Sequence, residues 1–393
     1  MKKIVLSALA ALTLGSVAAN AGVTKLYQDD NGQVFTKAGE GRTLIKTPTS
    51  VFSKADKLKF SGVTFIGYTY DDYKSNLADG TLNTKKDTSE FEIRRAYFQL
   101  KAYLLDDPKS YYRITFDVSK DVVGDEKVRA KYAYLYLNDI FANTGVELGL
   151  AHRPWHDYEE HNAWYYRSIS KILIEDKKHG PDLSNSADFG VMFKTRTQYF
   201  DADYGIFNGE GYHSVSNGNG MSFEWRTTAH LLGVDGKDKQ TKKTYWDASF
   251  FGQYNKGHKT VGNENQDLIF AGLHTVYNMP SFLIAAQYVK SQDTSDTGVS
   301  KQAGKGYSVN AEYRLGAEKQ YRILGRYDAW TSDVIPDGQT STKEDKGYII
   351  GAAWQQNRNV EWVANVIITD NEAGSAKENQ NGTQYMMTAR VSF

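Results

Sequence analysis

The 393-residue chain balances 47 basic against 47 acidic residues, is 40% hydrophobic and 13% aromatic, and has no cysteine. It therefore has no disulfide, thiol nucleophile or Cys-ligated metal, lacks the basic footprint of a nucleic-acid binder, and is too apolar to stay disordered. A mean hydropathy of −0.57, with no apolar run of ~20 residues beyond the N-terminus, excludes a helical membrane bundle. The 27 Tyr, 34 Gly and 6 Pro favour strands and tight turns.

Lys2 and Lys3 precede an apolar run from Ile4 to Ala19, and Ala19-Asn20-Ala21 fits an A-x-A cleavage site. Residues 1–21 read as a bacterial secretory signal peptide, with the mature chain starting at Gly22. That leaves 45 basic against 47 acidic residues. Residues 22–57 do not share the pattern that follows and read as a periplasmic N-terminal extension. Within it, Lys25 to Thr36 predicts a hairpin around Asp30-Asn31-Gly32. Asp29-Asp30 lacks the rest of a calcium loop and reads as a solvated turn.

From residue 58 to 393 the chain alternates. Ala96, Phe98, Leu100, Ala102 and Leu104 share one face, with Arg95, Gln99 and Lys101 on the other. Tyr112, Ile114, Phe116 and Val118 oppose Arg113, Thr115, Asp117 and Ser119. Val360, Trp362, Ala364, Val366 and Ile368 oppose Glu361, Asn365 and Thr369. Period-2 alternation gives each strand an oily and a wet side. Sixteen such segments are predicted, at 60–73, 90–104, 110–121, 127–138, 144–153, 186–197, 200–209, 222–232, 243–255, 266–278, 281–291, 305–316, 320–331, 346–356, 359–370 and 382–393. In 60–73, 127–138 and 266–278 the alternation does not fix the phase. Most segments are near the ~9–11 residues a tilted strand needs to cross a bilayer. An even number lets an antiparallel barrel close, as lipid demands.

A soluble sandwich alternates too, but three features favour the membrane. The oily side carries Tyr112, Trp246, Tyr254, Tyr288 and Trp354 near strand ends, as an interfacial girdle would. The wet side holds charges that a sandwich core would leave unpaired. The last segment puts Thr383, Tyr385, Met387, Ala389, Val391 and Phe393 on one face, like the C-terminal signature of bacterial outer-membrane proteins. The connections fall into two classes. Tight ones include 106–109 and 278–280; long polar ones include 74–89, 233–242, 256–265, 292–304, 332–345 and 371–381. This matches short periplasmic turns alternating with external loops.

Several short motifs occur in order: Phe91-Glu92-Ile93-Arg94-Arg95-Ala96-Tyr97, Ala133-Tyr134-Leu135, Leu148-Gly149 with Pro154, Tyr166-Arg167-Ser168-Ile169, Ala187-Asp188-Phe189-Gly190-Val191, Ile206 to Tyr212, Gly306-Tyr307 with Glu312-Tyr313, and Gly325-Arg326-Tyr327-Asp328. Together, over residues 60 to 393, they resemble the phosphate-selective porin O and P family of Gram-negative outer membranes. The resemblance implies a sixteen-stranded barrel, a homotrimer and diffusion of small anions. The family's arginine ladder and lysine cluster do not align residue by residue, so phosphate specificity does not carry over.

The connection from Arg153-Pro154 to Asn185, after the fifth strand, is dense in aromatic and charged residues. A loop of this length is usually functional; the inward fold that narrows the channel, with Arg167 as the constriction residue, is favoured over an external surface loop. The predicted phase turns fourteen basic residues and eight acidic ones to the lumen. The basic set includes Arg95, Lys101, Arg113, Lys127, Arg129, Lys131, Arg153, Lys194, Arg196 and Arg326, and its densest stretch, Arg95 to Lys131, is the expected anion path. His152, His156 and His161 lack a helical H-E-x-x-H frame, so a solvated or pore-lining cluster is favoured over a metal site. There is no G-x-S-x-G elbow, P-loop or dinucleotide fingerprint, so neither enzyme nor cofactor is expected. Two functions remain: a porin in the outer membrane, among lipid and passing small hydrophilic or anionic solutes, or a structural or adhesive barrel without an open channel.

Overall fold

The computed structural model describes residues 27–29, 33–44, 57–103, 107, 109–121, 123–214, 218, 220–234, 241, 243–261, 264–293, 302–334 and 341–393. The proposed signal peptide lies outside these residues. Two units are present, divided between residues 57 and 58.

In the first unit β1 (Tyr27–Asp29), β2 (Val34–Phe35) and β3 (Arg42–Leu44) form a sheet in the order β2-β1-β3. The arms of the predicted hairpin are β1 and β2, with Tyr27 opposite Phe35; its turn, 30–32, falls outside the described residues. The Arg42 guanidinium lies 3.5 Å over the Phe35 ring.

The second unit is a closed antiparallel barrel of sixteen strands. They are β4 (Leu58–Tyr73), β5 (Thr88–Tyr103), β6 (Tyr111–Lys120), β7 (Glu126–Phe141), β8 (Thr144–His152), β9 (Ala187–Arg196), β10 (Phe200–Phe207), β11 (Ser222–His230), β12 (Tyr245–Val261), β13 (Glu264–Met279), β14 (Phe282–Asp293), β15 (Gly304–Leu315), β16 (Tyr321–Val334), β17 (Ser341–Gln355), β18 (Val360–Asn371) and β19 (Gly382–Ser392). Each overlaps one predicted segment. Burial follows the pleat: along β15 every second residue is buried and its neighbours are exposed. The exposed set is the outer face. It carries Tyr112, Trp246, Tyr254, Tyr288 and Trp354, all 38–46% exposed, the five residues assigned to the girdle. The seam pairs β19 with β4, and Phe393 and Gly62 exchange both backbone hydrogen bonds, at 3.0 and 3.1 Å.

Three connections differ from expectation, one of them 332–345, which β16 and β17 shorten to 335–340. Residues 256–265 are not a long loop: β12 and β13 continue to Val261 and Glu264 across an irregularity between Asn255 and Lys259. The connection between His230 and Tyr245 leaves the same barrel end as the tight 280–281 turn, so one long connection interrupts the short-turn end.

Of four register shifts along the described strands, two are single-residue β-bulges. Phe65 faces Arg95 while Ile66 faces Ile93, which makes Arg94 the extra residue on β5. Thr115 faces Tyr132 while Phe116 faces Ala130, which makes Lys131 the extra residue on β7. A bulge re-aims side chains and resets the phase beyond it. Past Lys131 the buried residues are therefore Tyr132 and Tyr134, whereas unbroken alternation from Lys131 would turn Ala133 and Leu135 inward.

Candidate functional site: the lumen and its inward loop

After β8 the chain enters the helix α1 (Pro154–Asn162). Pro154 opens it at a position where its missing N–H costs nothing. A short 3₁₀ turn follows at Leu173–Glu175, so the connection has local structure of its own. Trp155 stacks on Phe251 of β12, with centroids 3.7 Å apart and planes 4° from parallel. The Tyr158 hydroxyl donates to Asp247 at 2.6 Å, and the Tyr166 hydroxyl donates to Glu312. Arg326 donates to the Lys171 carbonyl at 2.8 Å. His179 meets Asp328 at 2.9 Å, and Asn371 donates to the Lys178 carbonyl at 3.0 Å. These partners lie on β12, β15, β16 and β18, and all point inward. One loop reaches them all only by lying inside the barrel.

The seat is also apolar. Ile169, Ile172, Ile174 and Leu183 of the loop form one buried cluster with Phe251, Leu268, Leu324, Trp330, Ile349 and Ile367 of the wall. Each such side chain contributes about 1.5–3 kcal/mol by burial. The loop therefore fills the β12–β19 side of the lumen. Open space persists opposite, including a cavity of about 910 Å³ lined by Tyr136, Gly145, Lys194, Arg196 and Arg226 of the wall and by Asp157 and His161 of α1.

The neighbouring wall, on β5 to β7, is basic and tyrosine-rich. The Arg113 guanidinium lies 4.8 Å over the Tyr132 ring and donates to Thr115 at 3.1 Å. The Lys131 ammonium sits 4.7 Å over Tyr97, and Lys101 sits 4.2 Å over Tyr111. Arg129 donates to Ser119 at 2.6 Å and lies 2.7 Å from His213 Nδ1. Among the described residues none of these four cations is in an ion pair. Ring faces attract a cation without cancelling its charge.

The other predicted pore residues are neutralised by partners. Arg95 pairs with Asp117 at 2.9 Å, Lys127 with Asp121 at 2.6 Å at the rim, and Lys194 with Glu147 at 3.0 Å. Arg196 pairs with Asp203 at 2.5 Å. Arg153 and Arg326 point inward, but the loop covers them and each is at most 4% exposed; they hold Glu224 at 2.5 Å and Asp328 at 2.8 Å. Arg167 lies in the loop between Glu160 and Glu175, 3.2 Å from each. Arg94, which the alternation did not turn inward, donates to Thr69 and Glu92 on the inner face.

Asp157 of α1 is the nearby acidic residue: it lies 3.6 Å from His152 Nε2 of β8, and its side chain is 39% exposed. Burial raises its pKa, but His152 and His161, with Lys194 and Arg113, outweigh this and hold it below the usual carboxylate range. The imidazoles do not converge on one point: His156 meets the Ser184 carbonyl, while His152 bonds to Glu147 and His161 to the Asp157 carbonyl, the last two flanking the Asp157 carboxylate at 3.6 and 3.5 Å. Among the described residues no three His, Asp or Glu side chains are grouped to hold a metal.

No protein-family model and no curated protein matches the chain. Solved structures do. An anion-selective porin from Comamonas acidovorans is 13% identical, with a TM-score of 0.59 over 86% of this chain and 99% of that one. Salmonella typhi OmpF in complex with daunomycin is 11% identical, with a TM-score of 0.59 over 86% and 97%. OmpT, an outer membrane protein of Vibrio cholerae in trimer form, is 12% identical, with a TM-score of 0.57 over 86% and 99%. The likeness does not single out the phosphate-selective group that the motifs resemble. A closed sixteen-stranded barrel of porin fold, with a loop seated in its lumen, is what this chain forms.

Proposed function

We propose that the protein is an outer-membrane porin that lets small hydrophilic solutes diffuse passively, with a mild preference for anions. The observation that carries this reading is the row Lys101, Arg113, Arg129 and Lys131. Among the described residues these four cations have no carboxylate partner; Lys101, Arg113 and Arg129 are half-buried, and Lys131 is buried between the Tyr97 and Tyr132 rings. In a narrow lumen, fixed charges within a Debye length, ~8 Å at physiological salt, dominate ion selectivity. Arg95, Lys127, Lys194, Arg196, Arg153 and Arg326 contribute less in this reading, because partners neutralise them. Arg167 sets the loop edge rather than a free positive charge. A homotrimer agrees with the trimer form of the similar Vibrio cholerae protein. Phosphate specificity is not part of the proposal.

The test is reversal potential in a planar bilayer under a chloride gradient. The wild type is expected to be anion-preferring, and replacing Lys101, Arg113 and Lys131 with Glu is expected to reverse the sign. A cation-selective wild type, or an unchanged potential in the triple variant, overturns the anion path. Absence of any conductance step favours the structural or adhesive barrel instead.

A further inference from the structure

The outer wall carries a lipid-shaped feature independent of the ion path. Between β11 and β15 the outward side chains at one level are small: Ala229 faces Ala248, Ala248 faces Thr275, and Thr275 faces Ala286. Phe250, Leu273 and Tyr288, 45–62% exposed, stand along one side of this level. The result is an apolar groove of about 680 Å³. A second of about 360 Å³ shares Thr275, Ala286 and Val309 with it. No Asp, Glu, Lys or Arg lines either. Four strands at ~4.8 Å spacing make the groove roughly 14 Å long, enough to lay down much of an acyl chain.

Two cations stand beyond its end. Along β14 and β15, Ala286 faces Val309, then Tyr288 faces Tyr307, then Lys290 faces Lys305. The lysines lie four residues from the groove, ~13 Å at 3.3 Å per residue. Both are exposed, and among the described residues neither has an ion pair. Like charges placed directly opposite on neighbouring strands repel, unless an anion lies between them. The aromatic pair beneath them belongs at headgroup level.

We propose that this face binds a phosphorylated acyl lipid of the membrane, its phosphate between Lys290 and Lys305 and an acyl chain in the groove. An anion joined to an apolar chain matches both halves of this face. Asp333 of β16 points outward two residues past Thr331, the partner of Lys305, so a second copy of the chain is tested separately, by the A248C variant.

The experiment is native mass spectrometry of the purified barrel in mild detergent, titrated with phosphatidic acid or with phosphatidylcholine of the same chains. Wild type is expected to retain phosphatidic acid at least fivefold more tightly. The K290A/K305A variant should lose that difference while keeping wild-type conductance, which separates this site from the porin reading. The A248L/A286L variant, which fills the groove, should weaken both lipids. Equal retention of the two lipids by wild type overturns the proposal. So does displacement by millimolar inorganic phosphate, which marks an ion site without a chain. The chain lacks cysteine, so A248C alone reports neighbours: disulfide-linked dimers in membranes would put a second copy on the groove and overturn it too.

Discussion

The two sides of the lumen use the same residue types in opposite ways. On β12 to β18, Arg314, Arg322 and Arg326 each hold a carboxylate, at Glu312, Glu361 and Asp328. The loop lies across that side. On β5 to β7, Lys101, Arg113, Arg129 and Lys131 rest on tyrosine rings or hydroxyls, and among the described residues none is in an ion pair. A charge paired under a loop stabilises a shape and adds little field outside it. A charge held by a ring keeps its field. Counting basic residues along the wall therefore overstates the positive potential, and their partners decide where it is felt.

The largest expected effect tests the covered side. Arg326→Ala leaves Asp328 and its neighbours buried with a cation missing, a loss of about 3–5 kcal/mol for a broken buried pair. Urea unfolding in detergent should show it, whereas Arg113→Ala should cost much less and act on ion selectivity instead. If both lower stability equally, the contrast between the sides fails.

A charge on the outer face comes next. Ala364 points outward and Asn365 inward. Ala364→Arg should cost ~2–4 kcal/mol if it lies near the bilayer midplane, and Asn365→Arg less, read from folding equilibria in lipid vesicles.

The third effect is a pH dependence of the loop seat. Glu159 of α1 accepts hydrogen bonds from Trp155 at 2.7 Å and Gln287 at 2.6 Å. Burial, only partly offset by Arg326, pushes its pKa up to about 7. A carboxyl raised in the seated state favours seating when protonated, and that contribution falls as pH rises from the ordinary Glu range through about 7. Protease sensitivity of residues 153–186 should therefore increase from pH 5 to pH 8 in wild type and stay flat in Glu159→Gln. A flat wild-type profile would remove Glu159 from the seat.

The smallest effect concerns Arg167. Its loss leaves Glu160 and Glu175 without their shared cation, so Arg167→Ala should shift the reversal potential modestly toward cations. A shift toward anions would show that Arg167 is not neutralised in place.

Much of the barrel was legible in the sequence. The alternation of Val360 to Thr369 locates β18 and assigns its faces correctly, because one oily and one wet side leave no other register. The same logic fails at Arg94 and Lys131. A bulge is one extra residue, and nothing in the local pattern distinguishes it from a slip in phase. That is why the alternation alone does not turn Tyr132 and Tyr134, which cradle Arg113, to the lumen. The stretch 256–265 reads as a loop for a related reason: its residues are polar, yet β12 and β13 continue through them to Val261 and Glu264. The placement of the loop rests on partners such as Tyr158 with Asp247 and Asn371 with Lys178, 89 and 193 residues apart, and no periodicity encodes such pairs. Composition marked the loop as functional; only the closed barrel shows which of its charges are spent on holding it.

The seam where β19 meets β4 has a consequence for timing. Gly62 and Phe393 exchange hydrogen bonds across 331 positions of chain, and a methyl group at Gly62 would collide with the Phe393 ring. Contacts so distant in sequence form slowly, because the intervening chain must be ordered before they are rewarded. Until then β4 and β19 are both open edges, free to pair with any other strand. The barrel thus spends its whole assembly with two exposed edges and loses both in a single event.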